Sequence, residues 1–300
     1  MGCRVRILLT GGTGFIGARV AEALEERGDK VVVVSRHSSA GGSRALVGWD
    51  AVEREVERAD AVVHLAGEPV ADARWTPERL ERIRSSRVDT TARLASAIAS
   101  VSARPRVFVC ASAIGVYGMR RDDVVCDEET LPGDDVLARV CVAWEAAAEP
   151  ARAAGVRVVH PRIGVVLGTG GGALPKMAKA FRWFVGGPVG DGTQWTSWIH
   201  VDDAVRALLF LVDTASLSGP VNLVGPAPVT MNELARAIGT SLGRPSAMRV
   251  PAFALRLALG QGLAELLLTG QRVAPRRLEE GGFTFGFSRL DEALATLAAS

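Results

Sequence analysis

A glycine-rich turn between an apolar strand and an amphipathic helix is the feature that most constrains the fold. The turn TGGTGFIG covers residues 10–17, after the strand pattern VRILLT and at the start of the helical pattern FIGARVAEALEERG. Gly11, Gly14 and Gly17 have a G-x-x-G-x-x-G spacing. This spacing lets backbone N–H groups approach a pyrophosphate at the positive N-terminus of the helix. The turn therefore predicts a nucleotide-binding strand–turn–helix unit.

The remainder of the first half alternates short β-branched runs with longer helical ones. The strand patterns are KVVVVSR, RALVGWD, ADAVVHLAG, RVFVCAS and VRVVHPR. Helical periodicity covers most of residues 76–101, and residues 136–154 form another helical stretch. This order predicts an α/β fold, a Rossmann-type doubly wound parallel sheet. After about residue 165, Gly-rich loops and helices dominate, and HVDDAVRALLFLV predicts a helix that Asp202 caps.

We expect two structural parts without a single boundary between them. Residues 1–166 are predicted to form an NADP-binding Rossmann domain whose sheet is completed by about 197–224. Residues 167–196 and 225–300 are predicted to form a small, mainly helical substrate or lid domain.

The composition of the chain limits the classes of partner that we expect it to bind. The net charge is +2 over 300 residues, so neither nucleic acid nor an anionic membrane is the expected partner. No apolar run approaches the ~18 residues that span a bilayer, and the N-terminus lacks a signal-peptide pattern. The four cysteines lack metal-ligand spacing, which is typical of reduced thiols in a cytoplasmic protein. We predict no metal site, because Asp202 and Asp203 beside His200 can start the following helix.

The end of the second strand distinguishes NAD from NADP. Sites for NAD place a carboxylate about 20 residues after the glycines, whereas a nearby arginine accommodates the 2′-phosphate of NADP. Here the strand ends in Ser35 and Arg36, without an acid. Because a guanidinium is planar and permanently charged, it suits phosphate. The sequence therefore favours NADP(H).

Other cofactor contacts are expected at the ends of later strands. Small residues in HLAGEP let adenosine lie against the backbone, and Arg87 could reach a phosphate from the long helix. Arg162, after the sixth strand, could form the floor for a nicotinamide and would suit an anionic small-molecule substrate. The predicted cofactor-binding residues are Gly11, Thr13, Gly14, Phe15, Ile16, Gly17, Ser35, Arg36, Leu65, Ala66, Gly67, Arg87 and Arg162.

Three residues are candidates for proton transfer. The stretch SAIGVYG follows the fifth strand and contains Ser112 and Tyr117, the only tyrosine of the chain. Ligands bind beyond the carboxyl ends of such strands, which places both hydroxyls near a nicotinamide. Glu145, next to Trp144 on the following helix, is the third candidate, and partial burial predicts a raised pKa for its carboxyl group.

Several motifs resemble known families. TGGTGFIG, HLAG, SAIGVYG and WIHVDDAV resemble the extended short-chain dehydrogenase/reductase superfamily. More narrowly, LAGEPVADARWT, SSRVDTTARL, GVVLGTGGGALPKM, QWTSWIHVDD and LLLTGQRVAPRRLEEGGFTF resemble the atypical "epimerase family" (YfcH-like) proteins over essentially the whole chain. The resemblance implies a Rossmann fold with a small C-terminal lid and NADP(H) binding. It implies no particular substrate.

The chain departs from that superfamily at its catalytic pair. Typical members carry Tyr-x-x-x-Lys on the helix after the fifth strand, where the tyrosine moves a proton and the lysine lowers its pKa. The corresponding helix here, VLARVCVAWEAAAEPA, contains neither residue. An ungapped count from the Val-Tyr-Gly turn puts the superfamily's Ser/Thr at Ala113, and Ser112 matches only with a shift of one.

These observations predict an NADP(H)-dependent oxidoreductase that acts on a small molecule. If hydride transfer occurs, Ser112 would orient or polarise a substrate carbonyl, and Tyr117 or Glu145, or a water held by one of them, would transfer the proton. Two alternatives remain open. The family name suggests a nucleotide-sugar epimerase, against which the missing Tyr/Lys pair and Arg36 both count. A non-catalytic NADP(H)-responsive protein would need no catalytic pair.

Overall fold

The computed structural model describes residues 5–35 and 44–299. Its strands are β1 (Arg6–Thr10), β2 (Lys30–Val34), β3 (Ala45–Val47), β4 (Ala61–His64), β5 (Val107–Cys110), β6 (Ser112–Ala113), β7 (Val125–Cys126), β8 (Arg157–Ile163), β9 (Val165–Leu167), β10 (Trp195–Thr196), β11 (Trp198–His200), β12 (Gly219–Leu223), β13 (Val229–Thr230) and β14 (Arg272–Val273). Its α-helices are α1 (Phe15–Glu26), α2 (Val52–Glu57), α3 (Pro77–Ser100), α4 (Val136–Ala146), α5 (Glu149–Ala153), α6 (Leu174–Arg182), α7 (Val201–Asp213), α8 (Met231–Leu242), α9 (Ala252–Leu259), α10 (Gln261–Leu268), α11 (Arg276–Glu280) and α12 (Leu290–Ala299).

The central sheet of the described chain has eight strands in the order β12-β8-β5-β4-β1-β2-β3, with β6 also pairing with β8. Every pair in it is parallel. The sequence prediction of a doubly wound parallel sheet is confirmed. Because parallel strands need a crossover, α-helices connect most neighbouring strands and cover both faces.

The alternation of side chains along β1 divides the core into two layers. Leu9 points with Val33 toward the layer that α1 and α7 cover, where Leu24 and Leu208 are buried. Leu8 points the other way, into the layer of α2 and α3. Successive strand residues face opposite sides, so an all-apolar strand is stable only when helices cover both faces.

Side chains next to the helices determine where several of them begin. Thr76 caps α3 by accepting a hydrogen bond from the N–H of Arg79, and Asp135 caps α4. The predicted cap of α7 was wrong. His200 is the N-cap residue, and its Nδ1 accepts from the N–H of Asp202 at 3.2 Å. Asp202 lies in the first turn, where its charge suits the helix dipole.

Outside the central sheet, helices pack around short strand pairs. β9 pairs with β11, β10 with β13, and β7 with β14. Trp198 of β11 is fully buried among residues of α6, α8 and α12. In the described ranges, no helix combines the length and hydropathy that crossing a bilayer requires.

The buried carboxylate of Asp203 attaches the C-terminal segment to α7. Its oxygens accept from the N–H of Gly286 at 2.9 and 3.0 Å and from the N–H of Phe287 at 2.9 Å. Arg206 adds a hydrogen bond of 2.6 Å. The side chain is 1% exposed, so loss of its charge would leave these backbone donors poorly satisfied.

We expect the Asp203→Asn substitution to lower the free energy of unfolding by about 2 kcal/mol or more, because charge-assisted hydrogen bonds to backbone groups are lost. Asp202→Asn is the matched control, since its side chain is 64% exposed. That variant should lose about 0.5 kcal/mol, the contribution of an exposed acid in a first helical turn. Urea denaturation of both variants measures the difference, and equal losses would contradict the role given to Asp203.

Candidate functional site

The glycine turn leaves no room for side chains where the chain passes closest to itself. Gly11 has φ +74°, and a β-carbon on it would lie 2.7 Å from the carbonyl carbon of Leu65. A β-carbon on Gly17 would lie 2.1 Å from the carbonyl oxygen of Gly11. Gly14 is the N-cap residue of α1 and offers no side-chain hydrogen bond to the first turn. Backbone N–H groups at this helix end are therefore open to a ligand, and Thr13 is exposed beside them.

Phe15 anchors the other side of the turn. A β-carbon on Gly171 would lie 2.5 Å from its ring, so the loop Gly168–Gly172 must be glycine-rich to pass over it. Arg19 stacks on the same ring at 5.0 Å and donates to the carbonyl of Thr169 at 2.8 Å. Ile16 is half-buried and packs against the core layer of α1 and α7.

The strand ends next to the turn lie where the sequence placed them. Leu65 donates its N–H to the carbonyl of Thr10 at 3.1 Å, so Leu65, Ala66 and Gly67 run beside the glycine turn. Ser35 follows β2 and donates its N–H to the carbonyl of Val47. Arg36 lies outside the described residues, so its contact with a 2′-phosphate remains a prediction.

His64 is a residue of this edge that the sequence reasoning did not single out. Its ring is buried between two hydroxyls, with Nδ1 at 2.5 Å from Thr10 Oγ1 and Nε2 at 3.2 Å from Thr90 Oγ1. Burial lowers its pKa to about 3. The ring is therefore neutral and connects β1, β4 and α3.

The positively charged guanidinium of Arg87 lies beside Gly67. Its guanidinium stacks over the ring of Trp144 at 5.1 Å, and a β-carbon on Gly67 would lie 3.1 Å from its Cζ. Nη1 donates to the carbonyl of Ile83, while no carboxylate of the described residues lies within ion-pair distance. Burial lowers the pKa of Arg87. A partly buried cation without a protein anion is consistent with the phosphate contact predicted from the sequence.

The structure brings Ser112, Glu145 and Arg162 together at the carboxyl end of the sheet. Ser112 pairs with Arg162 in the register of β6 and β8. The hydroxyl of Ser112 donates to Glu145 Oε1 at 2.7 Å. Arg162 donates from Nε to Oε1 and from Nη2 to Oε2, both at 2.9 Å. Glu145 is therefore held by a bidentate ion pair and a serine.

Tyr117 joins this cluster through Arg162. Its phenol accepts from Arg162 Nη1 at 3.0 Å and donates to Asn222 Oδ1 at 2.6 Å. The ring is 1% exposed, and burial raises the pKa of Tyr117 to about 12. Asn222 of β12 was not identified from the sequence, because an isolated asparagine carries no motif. Tyr117 thus supports Arg162 from the side opposite Glu145.

The predicted raised pKa of Glu145 is wrong. Burial does push the pKa upward, but the hydrogen bonds and charge of Arg162, together with the hydroxyl of Ser112, hold it below its ordinary value. No sequence motif indicates that Arg162, on a distant strand, pairs with this carboxylate. Glu145 is therefore ionised at neutral pH and accepts hydrogen bonds.

Glu145 and Cys141 are spaced on α4 as the tyrosine and lysine of the usual pair are. Burial raises the pKa of the Cys141 thiol to about 12, so the thiol is neutral. The charges are inverted relative to the usual pair: here the helix carries an anion, and Arg162 supplies the cation from β8.

We expect Glu145→Gln to lower the free energy of unfolding by about 3–5 kcal/mol, because the buried Arg162 would lose its partner. Glu149→Gln, which breaks an exposed pair with Arg152, should cost about 0.5 kcal/mol or less.

The stabilisation by Glu145 should also depend on pH, because its pKa in the folded protein lies below the ordinary 4.5. The contribution of Glu145 to the free energy of unfolding is therefore complete above pH 4.5 and is lost as the pH falls through the pKa of the folded state. Urea denaturation from neutral pH downward measures both effects, and a pH-independent gap between wild type and Glu145→Gln would refute this account.

Comparison with known proteins identifies the family of the chain. The model of the NAD dependent epimerase/dehydratase family matches residues 7–225, and that of a domain of unknown function matches residues 250–297. An epimerase family protein of Mycobacterium leprae is 39% identical over 294 residues, covering 96% of this chain and 94% of its own length.

Two solved structures are also similar. The human epimerase family protein SDR39U1, crystallised with NADPH, is 34% identical, with a TM-score of 0.91 over 98% of this chain and 99% of the human one. A nucleoside-diphosphate sugar epimerase of Corynebacterium glutamicum is 34% identical, with a TM-score of 0.81 over 99% of this chain and 58% of its own. The resemblance inferred from the sequence motifs is confirmed. This chain belongs to the NAD dependent epimerase/dehydratase family, among its epimerase family proteins.

Proposed function

We propose that the chain is an NADP(H)-dependent oxidoreductase of a small molecule. The observation that carries this proposal is the Ser112–Glu145–Arg162 cluster, which lies at the carboxyl end of the same parallel sheet as the glycine turn. The crowded backbone at Gly11 and Gly17 fits a pyrophosphate, and the unpaired guanidinium of Arg87 fits its charge. The NADPH of the human relative supports the choice of cofactor.

When bound, the cofactor supplies or accepts a hydride. In alcohol oxidation, the hydroxyl of Ser112 takes the proton of the substrate hydroxyl while its own proton passes to Glu145 Oε1. In carbonyl reduction the hydroxyl of Ser112 donates its proton to the carbonyl oxygen, and a proton from water replaces it, because Glu145 is already ionised at neutral pH. Because the pKa of Glu145 lies below its ordinary value, the carboxylate is the resting form at neutral pH, and a proton that it accepts passes on to water. Arg162 holds the carboxylate in place, and Tyr117 and Asn222 hold Arg162.

The proposed function assigns different roles to two parts of the chain. We infer that residues 1–166, with the sheet completed by about 197–224, bind the cofactor, while residues 167–196 and 225–300 form the substrate lid. The described cysteines Cys110, Cys126 and Cys141 are unpaired and buried. They support a reducing, cytoplasmic location.

The sugar-nucleotide epimerase alternative has one specific observation in its favour, which is the similar nucleoside-diphosphate sugar epimerase of Corynebacterium glutamicum. It needs reversible proton removal from a sugar, and Glu145 is the only ionised acceptor assigned to the cluster. It would produce no net change in NADPH absorbance, unlike the oxidoreductase.

We expect Arg36→Ala to weaken NADPH binding about tenfold or more while leaving NADH binding nearly unchanged, because only NADPH carries the 2′-phosphate. Arg44→Ala is the matched control, since Arg44 is bound by Glu25. Titration of both variants with both cofactors gives the ratios. The assignment of NADP(H) fails if the wild type prefers NADH, or if Arg36→Ala leaves the preference intact.

We expect Ser112→Ala to slow single-turnover NADPH oxidation with a responsive carbonyl compound by about 10²–10⁴-fold, the usual contribution of general acid–base catalysis. NADPH affinity should stay near that of the wild type, which separates catalysis from cofactor binding. Glu149→Gln, outside the cluster, should turn over normally. Tight NADPH binding without turnover on a broad carbonyl panel would favour the non-catalytic, NADP(H)-responsive alternative.

A further inference from the structure

An exposed apolar surface lies at the end of α6 and along α9. Of the ten large apolar side chains that are exposed in the described chain, six belong to two segments, 183–185 and 248–257. We call them the α6–α9 surface. Its members are Trp183, Phe184, Val185, Met248, Phe253 and Leu257. Trp183 is 74% exposed and Leu257 is 78% exposed. Exposed apolar side chains grouped in a large patch mark interaction surfaces.

Backbone contacts join the two segments. Met248 donates its N–H to the carbonyl of Gly186 at 3.3 Å, and Val189 and Val250 form a parallel bridge. Arg244 stacks on the ring of Phe184 at 4.6 Å. α9 begins directly after this paired stretch and presents Phe253 and Leu257 one helical turn apart.

The charges of this surface have one sign. Residues 174–190 and 243–257 contain six lysines and arginines and no acid, in a chain of 35 basic and 33 acidic residues. Lys179, Arg182 and Arg249 have no ion-pair partner among residues 5–35 and 44–299. The acids next to these segments are Asp72 and Glu265, which pair with Lys176 and Arg256, and Asp191. Hydrogen bonds from Thr193 lower the pKa of Asp191, and the charges of Arg121 and Arg249 lower it further. The net charge of +2 therefore averages over a locally basic region.

The backbone at Phe184 ends α6. Phe184 has φ +61°, the only positive value of a non-glycine residue in the described chain. Its N–H donates to the carbonyl of Phe181 at 2.9 Å, and the N–H of Val185 donates to the carbonyl of Ala180 at 3.0 Å, which is the pattern of a helix C-terminal cap. Trp183, Phe184 and Val185 are all exposed.

The chemistry of the surface selects among partners. A second copy joined by a two-fold axis would place basic residues against basic residues. Single-stranded nucleic acid would stack on the aromatic rings but gain nothing from Val185, Met248 and Leu257. Exposed tryptophan, phenylalanine and aliphatic side chains bordered by lysine and arginine match the interface of an anionic bilayer.

We propose that the α6–α9 surface docks the protein onto an anionic phospholipid membrane. The apolar side chains enter the boundary between headgroups and acyl chains, while Lys179, Arg182 and Arg249 contact lipid phosphates. Docking does not depend on the proposed oxidoreductase activity, because none of these residues contacts the Ser112 cluster.

Co-sedimentation with vesicles tests this proposal. The full-length protein should sediment with vesicles of phosphatidylcholine and phosphatidylglycerol and remain in solution with phosphatidylcholine alone. Binding should weaken as NaCl is raised. Tryptophan fluorescence should shift to the blue on binding, and Trp183→Phe should remove most of that shift.

Matched variants distinguish binding through the α6–α9 surface from nonspecific binding to vesicles. Lys179→Glu should weaken binding about fivefold or more, whereas Lys30→Glu, the same charge change at the exposed first residue of β2, should not. Trp183→Ser should weaken binding strongly, whereas Leu131→Ser, at a residue that is 82% exposed elsewhere, should not. Unchanged urea midpoints confirm that the variants are folded. No binding to phosphatidylglycerol vesicles, or equal binding by target and control variants, would overturn the proposal.

Discussion

The ion pair between Glu145 and Arg162 is the interaction on which the polar centre of the molecule depends. It joins α4 to β8 across the carboxyl end of the sheet, and its arginine also holds the phenol of Tyr117. Asn222 extends the same set of contacts to β12, the edge strand. Two charges taken from water are stable only when geometry and further hydrogen bonds compensate their desolvation. Here each partner has the two hydrogen bonds of the pair and one more, from Ser112 to Glu145 and from Arg162 to Tyr117. Removing either partner would leave an unpaired charge in the interior.

This arrangement changes the chemistry of α4, the helix that corresponds to the one with the Tyr-x-x-x-Lys pair in typical members of the superfamily. The usual pair puts a proton donor and a cation on one helix face. Here α4 carries a neutral thiol and an anion, and the cation reaches in from a strand. Proton transfer through Ser112 and an ionised Glu145 is compatible with that inversion. Direct donation by Tyr117 is not favoured, because its proton is already donated to Asn222.

The residues of the proposed cofactor turn are close together in the sequence, whereas those of the proposed membrane surface are far apart. The glycine turn is specified within eight residues, because each glycine relieves a contact of the backbone with itself or with the adjacent strand. The α6–α9 surface combines two segments about sixty residues apart, so its charge and exposed aromatic rings become visible as one feature only after folding. The average composition of the chain conceals it.

The sequence by itself determined the parallel sheet, the glycine turn and the family, because these depend on short-range periodicity and on backbone sterics within a few residues. It also identified Ser112, Tyr117, Glu145 and Arg162 as candidates. It did not predict which of them would bond to one another, and it assigned the wrong direction to the pKa of Glu145. Only the tertiary structure decided that Arg162 pairs with Glu145, that Tyr117 reaches Asn222, and that His200 rather than Asp202 caps α7. The physical reason is that ionisation and hydrogen bonding depend on neighbours brought together by strand register, and register is a property of the whole sheet.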